Sequence, residues 1–449
     1  MPDPSLTLLT RANEIGANCY LLELGGLRII LDAGMHPKER GSAALPRYED
    51  LPFDSIDAIF VSHSHLDHVG TLPVLMKDQP SARVYMSYAT AALADALLHN
   101  SVNVMTSQKA ELGIEEYPLY SHEHLDDCER RFQGRHYEKT FDVDVDGNVR
   151  ATLYDAGHIL GSAGILLEGD GKRIFYTGDI HFKDHALGKG AAFPDLQDID
   201  TLIVETTRGD SQRDPDYKRE TEEARFIAAI NNALERGGSV LVPVFAMGKT
   251  QEVLTMLHKN KDAGNLPNAP VVIGGLSTKM TVVYDKFSDS TRRVHPGFKI
   301  LRDMDIKTGN RRKRQPIRYN PGTIYALSSG MMTEKTVSNN FARSFIDDPR
   351  NSLLFVGYTD PSTPGFRIRT AERGDMIDLN PEFPPVKLDC DVEVFDFSGH
   401  APRDHILEFI KETNAAENIL VHGDPAAMQW FANQLEHSTI PKPGTPHAL

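Results

Sequence analysis

Disulfide chemistry has almost nothing to work with in this chain. Only Cys19, Cys128 and Cys390 occur among 449 residues, odd in number and far apart. They build no disulfide framework and no C-x-x-C pair, which fits a reducing, cytoplasmic setting. Long apolar runs are missing too, since none approaches the ~18 residues that a membrane span needs. Met1-Pro2-Asp3-Pro4-Ser5 has no basic stretch leading into an apolar one, so no secretory signal is expected. Positive charge is scarce: 48 Lys and Arg stand against 63 Asp and Glu, a net charge of −15. That balance argues against nucleic-acid binding by the surface as a whole, although local charge matters more than the sum. Between Arg292 and Arg318 ten Lys or Arg face only Asp303 and Asp305, with four in a row at Arg311-Arg312-Lys313-Arg314. Such a run is either a solvated loop or a surface for phosphate.

What is present is concentrated chemistry. The length allows two or three domains. The stretch Val61-Ser62-His63-Ser64-His65-Leu66-Asp67-His68-Val69-Gly70 holds three histidines and an aspartate within six residues. The apolar run Ala58-Ile59-Phe60-Val61 before it reads as a buried strand, and a helix can open after Gly70 with Pro73 in its first turn. His63 and His65, two apart in an extended segment, point the same way. Asp67 and His68 follow as the chain turns and can face a second point. Imidazoles with one carboxylate suit zinc, and two such groups suit two adjacent ions.

The same arrangement, an acid or histidine at the end of an apolar strand, recurs along the chain. Residues 6–9, 19–23 and 28–31 read as strands, the last ending at Asp32. Asp32 is either a turn aspartate before glycine or a carboxylate that orients a ligand. Residues 70–132 read as mainly helical. Within them His122-Glu123-His124-Leu125-Asp126-Asp127 imitates the first motif but follows no strand, so it reads as a surface helix. Strands 149–154 and 173–176 lead to His158, within a glycine-rich turn through Gly164, and to Asp179. Strand 200–205 ends in Glu205, and 392–397 leads to Ser398-Gly399-His400. After a helix at 405–413, strand 419–423 carries His422. Residues 208 to about 390 alternate helices and strands, as an α/β domain does. Gly248-Lys249-Thr250 lacks the glycine five residues earlier that a P-loop requires, since Pro243 stands there, and nucleotide binding is rejected.

Taken together these residues resemble the metallo-β-lactamase superfamily and, within it, the β-CASP nucleases, a group that includes RNase J and the endonuclease subunit of the cleavage and polyadenylation factor. The H-x-H-x-D-H motif carries the superfamily resemblance; Glu205, Ser-Gly-His400 and Val-His422-Gly carry the β-CASP one. The resemblance implies a four-layer αβ/βα sandwich with an inserted α/β β-CASP domain. The expected domains are 1–207 for the first part of the sandwich, 208–390 for the insert and 391–449 for the rest, with no KH-like or RNase J-like C-terminal domain.

The resemblance further implies one zinc held by His63, His65 and His158 and another by Asp67, His68 and His422, with Asp179 bridging. Manganese fits the same His/Asp donors. Asp32 would be an orienting carboxylate near the bridging water, and Glu205 with His400 an acid/base pair. Hydroxide made at the two ions would attack phosphorus in line and leave 5′-phosphate and 3′-hydroxyl ends. Ser328 and Ser329 (in Ser328-Ser329-Gly330-Met331-Met332), residues 359–365, Lys249 and Ser398 would contact RNA.

Three stretches depart from the family pattern, one of them the loop Gly357-Tyr358-Thr359-Asp360-Pro361, which carries an acid and prolines at Pro361 and Pro364. Thr206-Thr207-Arg208-Gly209-Asp210-Ser211-Gln212-Arg213 has arginines where an aromatic and a histidine are usual. Lys249 stands for the usual arginine, so a fork-shaped donor becomes a point charge.

The expected function is hydrolysis of single-stranded RNA, endonucleolytic with a 5′-exonuclease mode also open. No membrane partner is expected, and a homodimer stays open. The alternatives are a DNA nuclease, a hydrolase of small esters, lactams or thioesters, and a non-catalytic RNA-processing scaffold. A lid of residues 208–390 argues against a small substrate, and seven filled ligand positions argue against a scaffold.

Overall fold

Period-two alternation sets the architecture. Along Leu27–Leu31 the side chains of Ile29 and Leu31 go to one core while Ile30 faces away, because successive residues of a strand point to opposite faces. The same rule holds in Ala163–Gly169, where Ala163, Ile165 and Leu167 point inward and Leu166 points outward. Each such residue, fully buried, contributes about 1.5–3 kcal/mol relative to exposure.

The computed structural model describes residues 3–194, 196–308 and 317–449. The basic run Arg311-Arg312-Lys313-Arg314 lies outside the described residues. The chain divides into two units. The first comprises Met1–Lys183, Lys189–Arg213 and His400–Leu449; the second comprises Asp184–Gly188 and Asp214–Gly399.

The first unit contains two seven-stranded sheets. One runs in the order His447–Ala448, Ser5–Leu8, Tyr20–Leu24, Leu27–Leu31, Ala58–Phe60, Arg83–Ser87, Phe132–Arg135. The other runs Ser438–Thr439, Glu417–Val421, Thr201–Glu205, Lys172–Tyr176, Ala163–Gly169, Val149–Asp155, Phe141–Asp142. Their inner faces share one core, in which Tyr20, Leu22 and Phe60 of the first sheet pack with Leu153, Ile165 and Tyr176 of the second. Helices Arg403–Thr413 and Pro425–Ala432 cover the outer face of the second sheet through Ile406, Ile410 and Phe431 against Leu166, Phe175 and Leu202. Helix Tyr88–Leu112 covers the first, burying Leu93, Leu97 and Val102. Helix, sheet, sheet, helix is the four-layer αβ/βα sandwich expected from the sequence.

The second unit is an α/β body of its own. Its six strands pair in parallel in the order Ile306–Thr308, Val271–Ile273, Ile324–Leu327, Val240–Pro243, Ser352–Phe355, Asp391–Val394. Such strands read as continuous apolar runs because both faces are covered, as in Ile324–Leu327, buried at every residue. Sequence reading placed the insert at 208–390; the structural unit runs Asp214–Gly399 with the short return Asp184–Gly188.

Three strands differ from expectation. Arg83–Ser87 interrupts what reads as a helical stretch, and Phe132–Arg135 begins at the last residue of that stretch. Ala163 and Gly164 belong to strand Ala163–Gly169 rather than to a turn, and a Cβ on Gly164 would sit 2.5 Å from the Phe175 ring. Among the described residues no helix is long and apolar enough to cross a membrane.

Candidate functional site

Asp32, His63, His158, Asp179, Glu205 and His422 each stand at or just beyond the C-terminal end of a strand of the first unit, whereas His65, Asp67, His68 and His400 are placed otherwise. Asp32 follows Leu27–Leu31, His63 follows Ala58–Phe60, and His158 follows Val149–Asp155. Asp179 follows Lys172–Tyr176, Glu205 ends Thr201–Glu205, and His422 follows Glu417–Val421. Strand ends are where a packed sheet can present polar atoms without leaving the backbone unpaired. Asp67 and His68 occupy a one-turn helix, Leu66–Val69, rather than a simple turn. Its position is fixed by backbone bonds: Ala33 N donates to His68 O (2.7 Å), Met35 N to Leu66 O (2.7 Å) and Asn18 N to Asp67 O (3.0 Å). Gly34 is needed there, since a Cβ would lie 1.8 Å from the Asp67 carbonyl oxygen.

Two groups of donors result. His63 Nε2 and His158 Nε2 lie 3.1 and 3.2 Å from His65 Nδ1, and 3.4 and 3.5 Å from Asp179 Oδ2. On the other side, Asp179 Oδ1 lies 3.3 Å from His68 Nε2 and 3.3 Å from His422 Nδ1. Asp67 Oδ2 is 3.4 Å from His422 Nε2 and 3.9 Å from His68 Nε2. Asp179 therefore presents one oxygen to each group.

The electrostatics match a cation pair. Burial, then the neighbouring His68, hold His63 well below the usual imidazole range, and burial lowers His65 to about 4. Burial opposes ionisation of Asp179, yet His422, His68 and His63 hold it well below the carboxylate range. Asp67 is likewise held down by His68 and His422 against burial. Neutral imidazoles and ionised carboxylates are the protonation states that ligate metal. His68 departs from this, since burial is outweighed by Asp179, Asp32 and Asp67, which raise it well above the usual imidazole range.

Asp179 Oδ1 is buried and accepts no hydrogen bond, which is costly for an ionised oxygen unless a cation meets it. Two borderline-soft divalent ions fit these donors: three imidazoles with one carboxylate oxygen, and two imidazoles with two carboxylate oxygens.

A third group adjoins. His400 Nδ1 lies 3.1 Å from Glu205 Oε2 and 3.8 Å from Asp179 Oδ2, and its ring centroid is 4.6 Å from that of His158. The Ile180 amide donates to Glu205 Oε1 at 2.8 Å. Burial would lower His400, but Glu205 and then Asp179 raise it to about 9.

Asp32 is held by four donors from three residues. Oδ1 accepts from the Ser62 amide (2.6 Å), and Oδ2 accepts from Ser62 Oγ (2.7 Å), His68 Nδ1 (2.7 Å) and Tyr176 Oη (2.6 Å). It is fully buried, and both oxygens accept from protein donors, His68 Nδ1 among them. Sequence reading missed its partners Ser62 and Tyr176. It also missed Asn18, whose Nδ2 is 3.2 Å from His68 Nε2, and Thr207, whose hydroxyl is 2.9 Å from His422 Nδ1. Small hydroxyl and amide residues carry no spacing that could have flagged them.

The residues expected to contact RNA are in the second unit, and each is engaged there. The Lys249 ammonium donates to the Phe397 carbonyl. Ser328 O accepts from Ser338 N at 2.9 Å, Ser329 Oγ accepts from Thr333 N at 3.2 Å, and Ser398 N donates to Asp396 Oδ1 at 3.1 Å.

Three family models match along the chain. Residues 27–233 match the Beta-lactamase superfamily domain, 250–368 the Beta-Casp domain, and 385–442 the Zn-dependent metallo-hydrolase RNA specificity domain. The chain is similar to Endoribonuclease YSH1 of Candida glabrata, 30% identical over 438 residues, covering 93% of this chain and 54% of the relative. It is 31% identical over 443 residues to Endoribonuclease ysh1 of Schizosaccharomyces pombe, covering 95% and 55%. It is 29% identical over 439 residues to Cleavage and polyadenylation specificity factor 73 of Drosophila melanogaster, covering 95% and 62%. The chain thus spans a little over half the length of these relatives. A crystal structure of a protein of unknown function from Enterococcus faecalis V583 has the same fold, with TM-score 0.63 at 13% identity over the whole of both chains.

Proposed function

Because this chain belongs to the β-CASP branch of the metallo-β-lactamase superfamily, we propose that it is a metal-dependent ribonuclease that cuts single-stranded RNA internally. The products are RNA ends bearing 5′-phosphate and 3′-hydroxyl. The observation that carries the reading is Asp179, buried between two imidazole groups with a third acid/base group beside it.

His63, His65 and His158 would hold one zinc ion and Asp67, His68 and His422 the other, with Asp179 available to both groups; manganese suits the same donors. Such a pair supplies Lewis acidity, which makes water nucleophilic near neutral pH and offsets negative charge on a phosphodiester. The chain supplies the rest. Asp32, fixed by Ser62 and Tyr176, accepts from His68 Nδ1 and so leaves Nε2, which Asn18 Nδ2 approaches at 3.2 Å, as the nitrogen that would ligate. Glu205 engages His400 Nδ1 and keeps the imidazole protonated, so that Nε2 can pass a proton to the departing 3′-oxygen. Ser328, Ser329, Ser398 and Lys249 are assigned to RNA phosphate contact, Lys249 after exchange of its Phe397 carbonyl partner.

Cleavage of 5′-labelled single-stranded RNA by the wild-type chain, Asp67→Ala and His400→Ala, with metal content measured alongside, tests the reading. Loss of cleavage in both variants, with metal lost only in Asp67→Ala, is expected. Internal fragments rather than mononucleotides are the expected products. A wild-type chain that binds two ions and leaves RNA intact overturns it and directs attention to DNA and small esters.

A further inference from the structure

A second gathering of metal-ligating side chains lies between two helices of the first unit and includes part of the stretch that imitates the main motif. Asp95 and His99 are one turn apart on helix Tyr88–Leu112. His122, Asp126 and Glu129 follow at i, i+4 and i+7 on helix His122–Glu129, the spacing that puts side chains on one helix face.

The two helices bring these side chains to a common point. His99 Nε2 lies 3.2 Å from Glu129 Oε1, 3.4 Å from Asp95 Oδ1 and 3.7 Å from Asp126 Oδ1. On the opposite side of the ring, His99 Nδ1 lies 2.7 Å from His122 Nδ1. Donor atoms bound tetrahedrally at zinc, at bond lengths near 2.1 Å, stand about 3.4 Å from one another. The separations of the three carboxylates from His99 Nε2 are close to that size, and Asp95, His99 and Glu129 each offer a donor atom within 4.8 Å of the others.

Charge points the same way. Three carboxylates crowd one imidazole nitrogen, and among the described residues no Lys or Arg pairs with any of the three. Burial, and then the adjacent Asp95, raise Glu129 to about 8, the mark of acid groups brought together without a matching cation. The cluster is also accessible, with side-chain exposures of 25% at His99, 32% at Glu129, 45% at Asp95 and 63% at Asp126.

We propose that Asp95, His99 and Glu129, with Asp126 as a further oxygen donor, bind a divalent transition-metal ion that ties the two helices together. His122 is a positioning residue. With His99 Nε2 on the ion, Nδ1 carries the proton and donates it to His122 Nδ1, the kind of outer contact that fixes a ligating imidazole. The ion would be structural, since the described donors leave no catalytic group beside it. Glu123 and His124 of the same stretch are exposed and take no part. The competing account is an imidazolium held among three carboxylates with no ion.

The experiment counts zinc. The full chain is stripped by chelation, equilibrated with Zn2+ alone, freed of loose metal and assayed by elemental analysis, beside Asp95→Asn and a His99→Gln/Glu129→Gln variant. One equivalent fewer is expected in each variant than in the wild type, with RNA cleavage kept. His122→Ala should retain the ion but bind it at least about 10-fold more weakly.

The comparison is repeated in a His63→Ala/His68→Ala background, where Zn2+ should still raise the thermal midpoint and the added Asp95→Asn should abolish that rise. The test rests on differences between matched chains, so failure of the two-ion nuclease reading leaves it intact. Equal zinc content in wild type and in a folded Asp95→Asn variant overturns the proposal in favour of the imidazolium.

Discussion

Glu205 and His400 are 195 residues apart in the chain, yet Glu205 Oε2 lies 3.1 Å from His400 Nδ1. The contact is one-sided by design of its surroundings. Glu205 is buried and pinned by the Ile180 amide, whereas the His400 side chain keeps 24% exposure. On the proposed reading, the carboxylate behind a partly open imidazole makes His400 a proton donor whose strength depends on that contact.

The pH dependence of cleavage follows. His400 titrates at about 9 because Glu205, then Asp179, outweigh burial. As a general acid it acts while protonated, so kcat should fall as pH rises through that value. Glu205→Gln removes the larger support and should move the basic limb to lower pH, and His400→Ala should cost about 10²–10⁴ in kcat. A basic limb that stays in place in Glu205→Gln would show that another group donates the proton.

Tyr176→Phe removes one of four donors to Asp32 and leaves volume almost unchanged. The lost hydrogen bond goes to a buried carboxylate, so a cost of about 1.5–3 kcal/mol in urea unfolding is expected. The looser Asp32 should also weaken metal binding at least about 10-fold, through His68. Stability lost with metal affinity unchanged would separate Asp32 from the ligand it contacts.

Gly34→Ala tests how the Leu66–Val69 turn is seated. The new methyl would meet the Asp67 carbonyl at 1.8 Å and the Asn18 amide at 2.6 Å. Backbone must move, at about 1–3 kcal/mol or more, and it moves Asp67 and His68. Elemental analysis should show metal lost from the Asp67, His68 and His422 group while the His63, His65 and His158 group keeps its ion.

In the second unit, acid stability should report on Glu252. Burial favours its neutral form, but Arg219 and then His185 and Lys249 lower its pKa; the amides of Ala186 and Leu187 also donate to it, at 2.9 and 3.4 Å. A depressed carboxylate contributes stability that is present above its unfolded pKa and is lost as pH falls through the folded one. Arg219→Met leaves a buried charge without its main partner, costing about 3–5 kcal/mol at pH 7. That gap should narrow as pH approaches about 4, where the unfolded chain also takes up the proton. A gap constant with pH, measured by urea unfolding, would place the loss in packing.

Much of the site could be read from the chain because its parts carry charge or imidazole and sit at the ends of apolar runs. His63, Asp179, Glu205 and His422 each come at or soon after an apolar run at a strand's end, Ala58–Phe60, Ile174–Tyr176, Leu202–Val204 and Ile419–Val421. Tyr176, Ser62 and Asn18 were hidden for the opposite reason: each matters only through a partner brought near by sheet packing. Strand Arg83–Ser87 was hidden because helices flank it and it is too short to show a period. His99 has an ordinary sequence context, and its neighbours Asp126 and Glu129 become neighbours only when two helices meet.

The order in which ligands occur along the chain bears on when the protein can act. His63, His65, Asp67, His68, His158 and Asp179 all precede the second unit, whereas His400 and His422 follow the whole of Asp214–Gly399. Synthesis runs from the N-terminus, so a growing chain can assemble one imidazole group well before the other and before its proton donor. A site built from all of these proposed groups would be complete only after the unit made between them has left the ribosome.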